Sequence, residues 1–259
     1  MIPLPYPGND LVHGFWVGLG VVAGLVWYAL EKRRLRLHDD RLWVLAGMAV
    51  AFGALGARLL TWPAALDPSR TSSLLEWWTL GNRSILAGLI GAWIGVWLGK
   101  RLTGYREDTG ELFAPAVALA MMIGRVGCLL TENPGTPTGG GWGMVMTAEQ
   151  AERLGGVPGV GLNPSFLYEI AFHAVALTLL LRWRGRLAPG ALFRLYVAGY
   201  ALFRFAVEFV RGNEEVWFGL TRPQWFLLAV SPLLIRSVLR ALRAPAPIHP
   251  ETRSRWASG

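Results

Sequence analysis

Seven runs of roughly twenty apolar residues constrain this chain more than any other feature. They cover about 11–30, 42–62, 84–99, 112–130, 165–181, 191–210 and 224–242. A helix of about 20 apolar residues matches the hydrocarbon thickness of a bilayer. None of the runs shows the sustained period-two alternation of a membrane-barrel strand. The expected fold is therefore all-α, a polytopic membrane protein with seven transmembrane helices. Composition agrees: only 16% of residues are charged, against about a quarter in soluble domains, and 13 are Trp, which concentrates where hydrocarbon meets water. A soluble enzyme, a disordered chain and a disulfide framework are all disfavoured, the last because Cys128 is the single cysteine.

Basic residues set an orientation. Lys32, Arg33, Arg34, Arg36 and Arg41 lie between the first two runs, and Lys100, Arg101 and Arg106 follow the third. Arg182, Arg184 and Arg186 follow the fifth, and Arg236, Arg240, Arg243, Arg253 and Arg255 follow or close the seventh. The opposite connections hold only Arg70, Arg83, Arg153, Arg211 and Arg222. By the positive-inside rule the N-terminus is expected outside and the C-terminus in the cytoplasm. The net charge of +8 is thus orientation signal, and no nucleic-acid partner is expected. The first run lacks a basic leader and an Ala-x-Ala cleavage site, so it reads as a retained helix.

The expected organisation is a seven-helix transmembrane domain over 1–243 and an unstructured cytoplasmic tail over 244–259. An outer, periplasmic loop at about 131–163 carries nine glycines and Pro134, Pro137 and Pro158, with Pro164 just beyond it. That is too long for a tight connection, leaving a functional loop or a disordered one. Gly14–Gly18, Gly20–Gly24 and the Gly91, Gly95, Gly99 series have small-xxx-small spacing, which suits close helix packing. No repeat of the inverted-transporter kind is present.

Charges inside the apolar runs are more informative. A buried Arg costs about 2.5–3.5 kcal/mol on insertion scales and normally faces a polar interior with a task. Arg58, Arg125, Arg194 and Arg204 are of this kind, although Arg194 lies near a helix end and can snorkel. Tyr200, Arg204, Glu208 and Arg211 share one helix face by their spacing. Two readings stay open for this stripe: an ion pair that fixes packing, or surplus guanidinium charge for a phosphate, which Arg grips bidentately. Arg125 is flanked by Gly124 and Gly127, which allow close approach of a ligand, and Glu132 follows two turns later. Glu169 is an intramembrane carboxylate, suited equally to catalysis or to neutralising an arginine. Pro164 suits the first turn of the fifth helix.

No metal and no cofactor is expected. His13, His38, His173 and His249 have no ligand spacing with one another or with Cys128, and no P-loop, dinucleotide fingerprint or nucleophile elbow occurs. Cys128 reads as a small buried hydrophobe and His173 as a hydrogen-bonded packing residue.

Several motifs occur in a fixed order: Gly53-Ala-Leu-Gly-Ala-Arg58, Arg83-Ser-Ile-Leu-Ala-Gly-Leu-Ile-Gly91 and Gly124-Arg-Val-Gly-Cys-Leu-Leu-Thr-Glu-Asn-Pro-Gly135. They continue with Trp142-Gly143, Asn163-Pro-Ser-Phe-Leu-Tyr-Glu169, Tyr200-Ala-Leu-Phe-Arg-Phe-Ala-Val-Glu-Phe-Val-Arg211 and Gln224. In this order they resemble the prolipoprotein diacylglyceryl transferase family, seven-helix enzymes of the bacterial inner membrane. The resemblance implies transfer of a diacylglyceryl group from phosphatidylglycerol, or a similar anionic lipid, to the lipobox cysteine thiol of an exported preprotein. Glycerol phosphate is the leaving group.

It further implies that Arg125 and Arg204 hold the phosphate, with Tyr200, Gly135 and His13 beside the lipid. Glu132, Glu169 and Glu208 would position the arginines or assist proton transfer. The chain departs from the family pattern at Leu86, Cys128, Asn163 and Phe166, where the family carries His, Asn, His and Gln, and at His13, where it carries Tyr. Those changes define a second reading: a non-catalytic lipid-binding paralogue serving as a subunit of a membrane complex.

Overall fold

A computed structural model of the chain describes residues 2–3, 10–59 and 84–243. Expectations for Trp62, Arg70, Arg83 and the tail over 244–259, with His249, Arg253 and Arg255, lie outside the described residues. Eight α-helices occur among them: α1 Asp10–Arg34, α2 Arg41–Leu59, α3 Ile85–Thr103, α4 Gly110–Thr131, α5 Ala148–Leu154, α6 Ser165–Arg182, α7 Ala191–Val207 and α8 Arg222–Arg243. Four short strands join them: β1 Ile2–Pro3, β2 Met144–Val145, β3 Glu215–Trp217 and β4 Leu220–Thr221.

Six helices, all but α5 and α7, are long and apolar enough to cross a bilayer. Their outward faces carry large exposed apolar side chains such as Phe15, Trp93 and Leu233, which water disfavours and lipid accepts. The apolar run expected at 191–210 does not form one uninterrupted helix. α7 has 17 residues, at the lower end of the length that crosses a bilayer, and continues as a 3-10 turn over Glu208–Val210. Its last turns carry Arg204 and Glu208, whose burial depends on partners rather than lipid.

The chain divides into two compact units. In His38–Glu107, α2 and α3 pack against each other along glycines. Gly91, Gly95 and Gly99 of α3 are buried, facing Phe52, Met48 and Leu45 of α2 in turn. The small-residue spacing thus serves packing, as read from the sequence. Ser84 caps α3, its Oγ accepting from Ala87 N at 3.3 Å, and Gly104 ends the helix with φ 71°.

The other unit, Met1–Leu37 with Asp108–Gly259, is organised around α4. α4 packs against α1, α6 and α7, and α8 lies against α7. Gly20 and Gly24 of α1 sit directly on Ala120 and Ala116 of α4, whereas Gly14 and Gly18 meet no neighbour within 4 Å. Ala114 and Ala118 of α4, Leu180 of α6, and Leu192 and Tyr196 of α7 form the apolar core of this bundle.

The connection over 131–163 is folded, which removes the disordered alternative. Met144, Met146, Ala151 and Leu162 bury together, with Leu129 and Leu154 against them. β2 pairs with β1 in parallel, and Met144 and Leu162 exchange backbone hydrogen bonds of 2.8 and 2.9 Å. Thr147 and Gln150 close a capping box on α5, which Gly155 ends in the left-handed conformation. Pro164 precedes α6 at the N-cap position rather than lying inside its first turn.

Candidate functional site

The site grows from four segments of the α4-centred unit: the C-terminal half of α4, the start of α6, the end of α7 and the loop that follows it. Arg125 on α4 is 3% exposed and forms an ion pair with Glu169 of α6, which is wholly buried. Tyr200 of α7 lies between them. Arg125 Nη2 donates to the Tyr200 hydroxyl at 3.3 Å, and that hydroxyl donates to Glu169 Oε2 at 3.3 Å. Glu169 also accepts from Arg211 Nη1 at 2.7 Å, so one carboxylate holds arginines from two segments. Burial first, and then the neighbouring Arg125 charge, lowers the Arg211 guanidinium from its ordinary value.

Arg204 and Glu208 pair within α7 and its 3-10 extension, as their i, i+4 spacing allows. Glu208 also accepts from the Thr221 hydroxyl at 2.9 Å and from Asn213 Nδ2 at 2.5 Å. Gln224, at the start of α8, accepts from Thr221 N at 2.9 Å and donates to the Phe205 carbonyl at 3.2 Å. Glu208 thus ties the end of α7 to the turn before α8.

Glu169 comes in from another helix but is shared by Arg211 and Arg125, so Arg125, Arg204 and Arg211 face two buried carboxylates, Glu169 and Glu208, with Glu132 at the exposed edge. One donor remains over. Arg125 Nε is buried and has no hydrogen-bond partner among the described residues. Arg125 Nη1 points at Cys128 Sγ, 3.5 Å away. Phe166 stacks against this assembly, its ring 4.4 Å from the Arg211 guanidinium carbon and 5.7 Å from that of Arg125.

Glu132 ends α4, its N–H bonded to the Cys128 carbonyl at 2.9 Å, and its side chain is 40% exposed. It reaches His13 Nδ1 of α1 at 3.4 Å and Arg211 Nη2 at 3.7 Å. His13 comes this close because α1 and α4 touch at Gly127, where a Cβ would meet Trp16 Cβ at 3.0 Å and the His13 carbonyl at 3.1 Å.

Gly135 stands at φ 155°, and a Cβ there would meet the Asn163 carbonyl oxygen at 2.8 Å and the Val210 carbonyl closer still. Asn163 donates to the Thr136 carbonyl at 3.1 Å, and Thr136 N donates to the Val210 carbonyl at 2.9 Å. The loop is in this way fastened over the end of α7.

Every site residue expected from the sequence falls in this unit. Arg125, Glu169, Tyr200 and Arg211 form one hydrogen-bonded cluster. Glu132 and His13 join its edge, Arg204 and Glu208 form a second pair, and Gly135 belongs to the loop above. Arg211 and Phe166 contribute more than the sequence reading gave them. A grouping absent from the linear spacing also appears, since His13, Cys128 and Glu132 place ligand atoms within 4.8 Å of one another across two helices.

His173 is fully buried, its Nδ1 3.1 Å from the Tyr196 hydroxyl, as a packing residue should be. Arg194 lies 3.6 Å from Asp108 near a helix end, and Leu86 belongs to the α2–α3 unit.

Fold and site together define a helical multi-pass membrane protein with an arginine–carboxylate cluster held between its helices. The sequence profile described as prolipoprotein diacylglyceryl transferase matches residues 11–239, and this chain belongs to that family. It is 31% identical to the phosphatidylglycerol–prolipoprotein diacylglyceryl transferase of Ruegeria pomeroyi, over 89% of this chain and 91% of the relative. The enzyme of the same name from Dehalococcoides mccartyi is 32% identical over 90% of this chain and 92% of its own length. A transferase numbered 2 in Streptomyces coelicolor is 31% identical over 90% of this chain and 80% of its own.

Proposed function

We propose that this chain transfers a diacylglyceryl group from phosphatidylglycerol, or a similar anionic lipid, to the lipobox cysteine thiol of an exported preprotein. The observation that carries the reading is Arg125, buried, fixed by Glu169 and Tyr200, with an Nε donor left over. A buried guanidinium with a spare N–H is a receptor for a phosphate oxygen. Arg125 and Arg204 hold the phosphate and stabilise the charge that develops as glycerol phosphate leaves. Glu169 and Glu208 keep the two guanidiniums oriented, and Glu132 takes part in proton transfer from the acceptor thiol, which must ionise to attack. Tyr200, His13 and Gly135 line the lipid's path.

The reading includes a topology: seven spans within 1–243, N-terminus outside, C-terminal tail over 244–259 in the cytoplasm, in the bacterial inner membrane. The basic last turns of α1, α3, α6 and α8 support it, as they put cations at one end of every outward-to-inward helix. The loop over 131–163 then lies on the periplasmic side, where preproteins emerge.

One observation favours a second reading, a non-catalytic lipid-binding subunit of a membrane complex. Phe166 lays an aromatic face on Arg125 and Arg211 where the family carries an amide. Expression in cells depleted of their own transferase separates the two. A lipidated reporter of the mass of a diacylglyceryl thioether supports transfer, and its loss in Arg125→Ala and Arg204→Ala assigns it to these residues. A well-expressed protein that yields no such product, and that co-purifies with a stable membrane partner, overturns transfer in favour of the subunit.

A further inference from the structure

From the meeting of His13, Cys128 and Glu132 we infer a binding site for one zinc-class divalent cation at the outer end of α1 and α4. One ring nitrogen, one sulfur and one carboxylate oxygen is a donor set that suits a borderline cation. The three ligand atoms lie within 4.8 Å of one another, and His13 Nδ1 is 3.4 Å from Glu132 Oε1. A tetrahedral zinc with bonds of about 2.0–2.3 Å holds its ligand atoms roughly 3.3–3.8 Å apart. One edge is therefore already formed; a turn of the half-exposed Glu132 side chain sets its edge to Cys128, and a turn of the His13 imidazole sets the third.

Local architecture supports the set. Cys128 and Glu132 are one helical turn apart on α4, and Gly127 brings the His13 backbone against that face. Both anionic ligands have outer donors: Arg125 Nη1 at Cys128 Sγ, 3.5 Å, and Arg211 Nη2 at Glu132 Oε2, 3.7 Å. A hydrogen bond, as at Cys128, or an ion pair, as at Glu132, on the far side of a ligating group orients it on a metal. Glu169 pairs with both arginines, which moderates their repulsion of a cation. Cys128 is buried while Glu132 is 40% exposed, so the site has a polar side for access.

Three protein ligands leave a coordination position for an outside donor. On the transferase reading, which this consequence alone depends on, that donor is the acceptor thiol. It binds as thiolate, since a coordinated thiol deprotonates outright; with Glu132 occupied as a ligand, the proton passes to water at the outer face instead of to that carboxylate. The sulfur lone pair then forms a C–S bond to the glyceryl carbon as the C–O bond to phosphate breaks. The bonding electrons leave with glycerol phosphate, and the thioether formed is a weaker ligand that departs.

The test uses the full chain purified in detergent, stripped with a chelator and titrated with Zn²⁺ or Co²⁺ alone. One equivalent should bind, and the Co²⁺ form should show a thiolate-to-cobalt charge-transfer band. His13→Ala and Glu132→Gln should each weaken binding at least about tenfold. Cys128→Ser should abolish the band. Cys128→Asp, which keeps an anionic ligand, should retain Zn²⁺ without the band, so that misfolding is told apart from ligand loss. His249→Ala, in the tail, should bind as the parent does. Absence of stoichiometric metal, or binding unchanged in His13→Ala/Cys128→Ser, overturns the site and leaves the transferase reading standing. Metal bound in the parent but without effect on lipidation overturns its role with the thiol.

Discussion

Removing Glu169 would strip the common partner from two arginines at once. Arg125 and Arg211 would then face each other across a buried site with neither carboxylate oxygen between them. Leaving a buried charge uncompensated costs about 3–5 kcal/mol. Glu169→Ala should therefore lower the thermal midpoint in detergent more than Arg204→Ala. The latter leaves Glu208 with its Thr221 and Asn213 donors. Combined with Arg125→Ala, the Glu169→Ala loss should be less than additive, because the second change removes a charge the first exposed. Equal midpoints for Glu169→Ala and Arg204→Ala would mean that Glu169 does not bridge the two arginines.

The residue scale also shows what the sequence made legible. Tyr200, Arg204 and Glu208 share a face by helical period alone, and the Arg204–Glu208 pair follows from it. Glu169's grip on Arg125 and Arg211, and the approach of His13 to Cys128, depend on how helices register against each other. Spacing along one chain segment carries no information about that register. The glycine at 127 was visible as permission for a ligand to approach, yet what approaches it is the backbone of α1.

At the scale of elements, glycine has two distinct uses that substitution separates. In the α2–α3 pair, a side chain at Gly91 would meet the Phe52 carbonyl and Gly56 backbone, neither of which can swing aside. Gly47, on the same α2, meets nothing within 4 Å. Gly91→Ala should destabilise by about 1–3 kcal/mol through overpacking, while Gly47→Ala should be neutral or slightly stabilising. Paired thermal melts of the two variants read the difference.

Gly135 is used for its backbone. Its φ of 155° and the carbonyls of Asn163 and Val210 leave no room for a Cβ. Gly135→Ala should cost on the order of 1–3 kcal/mol of strain and loosen the loop over α7, seen as faster amide exchange at Thr136 and Asn163. Composition left that loop as either functional or disordered. Its order comes from Met144, Met146, Ala151 and Leu162 burying together, a cluster whose members lie up to 18 positions apart and whose turns hide the pattern.

For the whole molecule, the decisive question is the path of α7. Periodicity and loop charge read seven crossings; among the described residues six helices have both the length and the hydropathy to cross alone, and α7 ends in the charged Glu208 turn. A helix of 17 residues is about 25 Å long, less than the roughly 30 Å hydrocarbon core. Packing against α4, α6 and α8 gives it neighbours other than lipid, and Arg204 near its end pairs with Glu208, which in turn accepts from Thr221 inside the unit. On the proposed seven-span topology such a helix crosses as part of a bundle. The consequence is a parity rule: Arg186, before α7, and Trp217, after it, lie on opposite sides if α7 crosses. Both side chains are exposed. In a Cys128→Ser background, Trp217→Cys should react with an impermeant maleimide in intact spheroplasts, and Arg186→Cys only after lysis. If both react from the same side, α7 does not cross. The orientation of α8 and of the tail would then reverse relative to α6, against the charge distribution that set the topology.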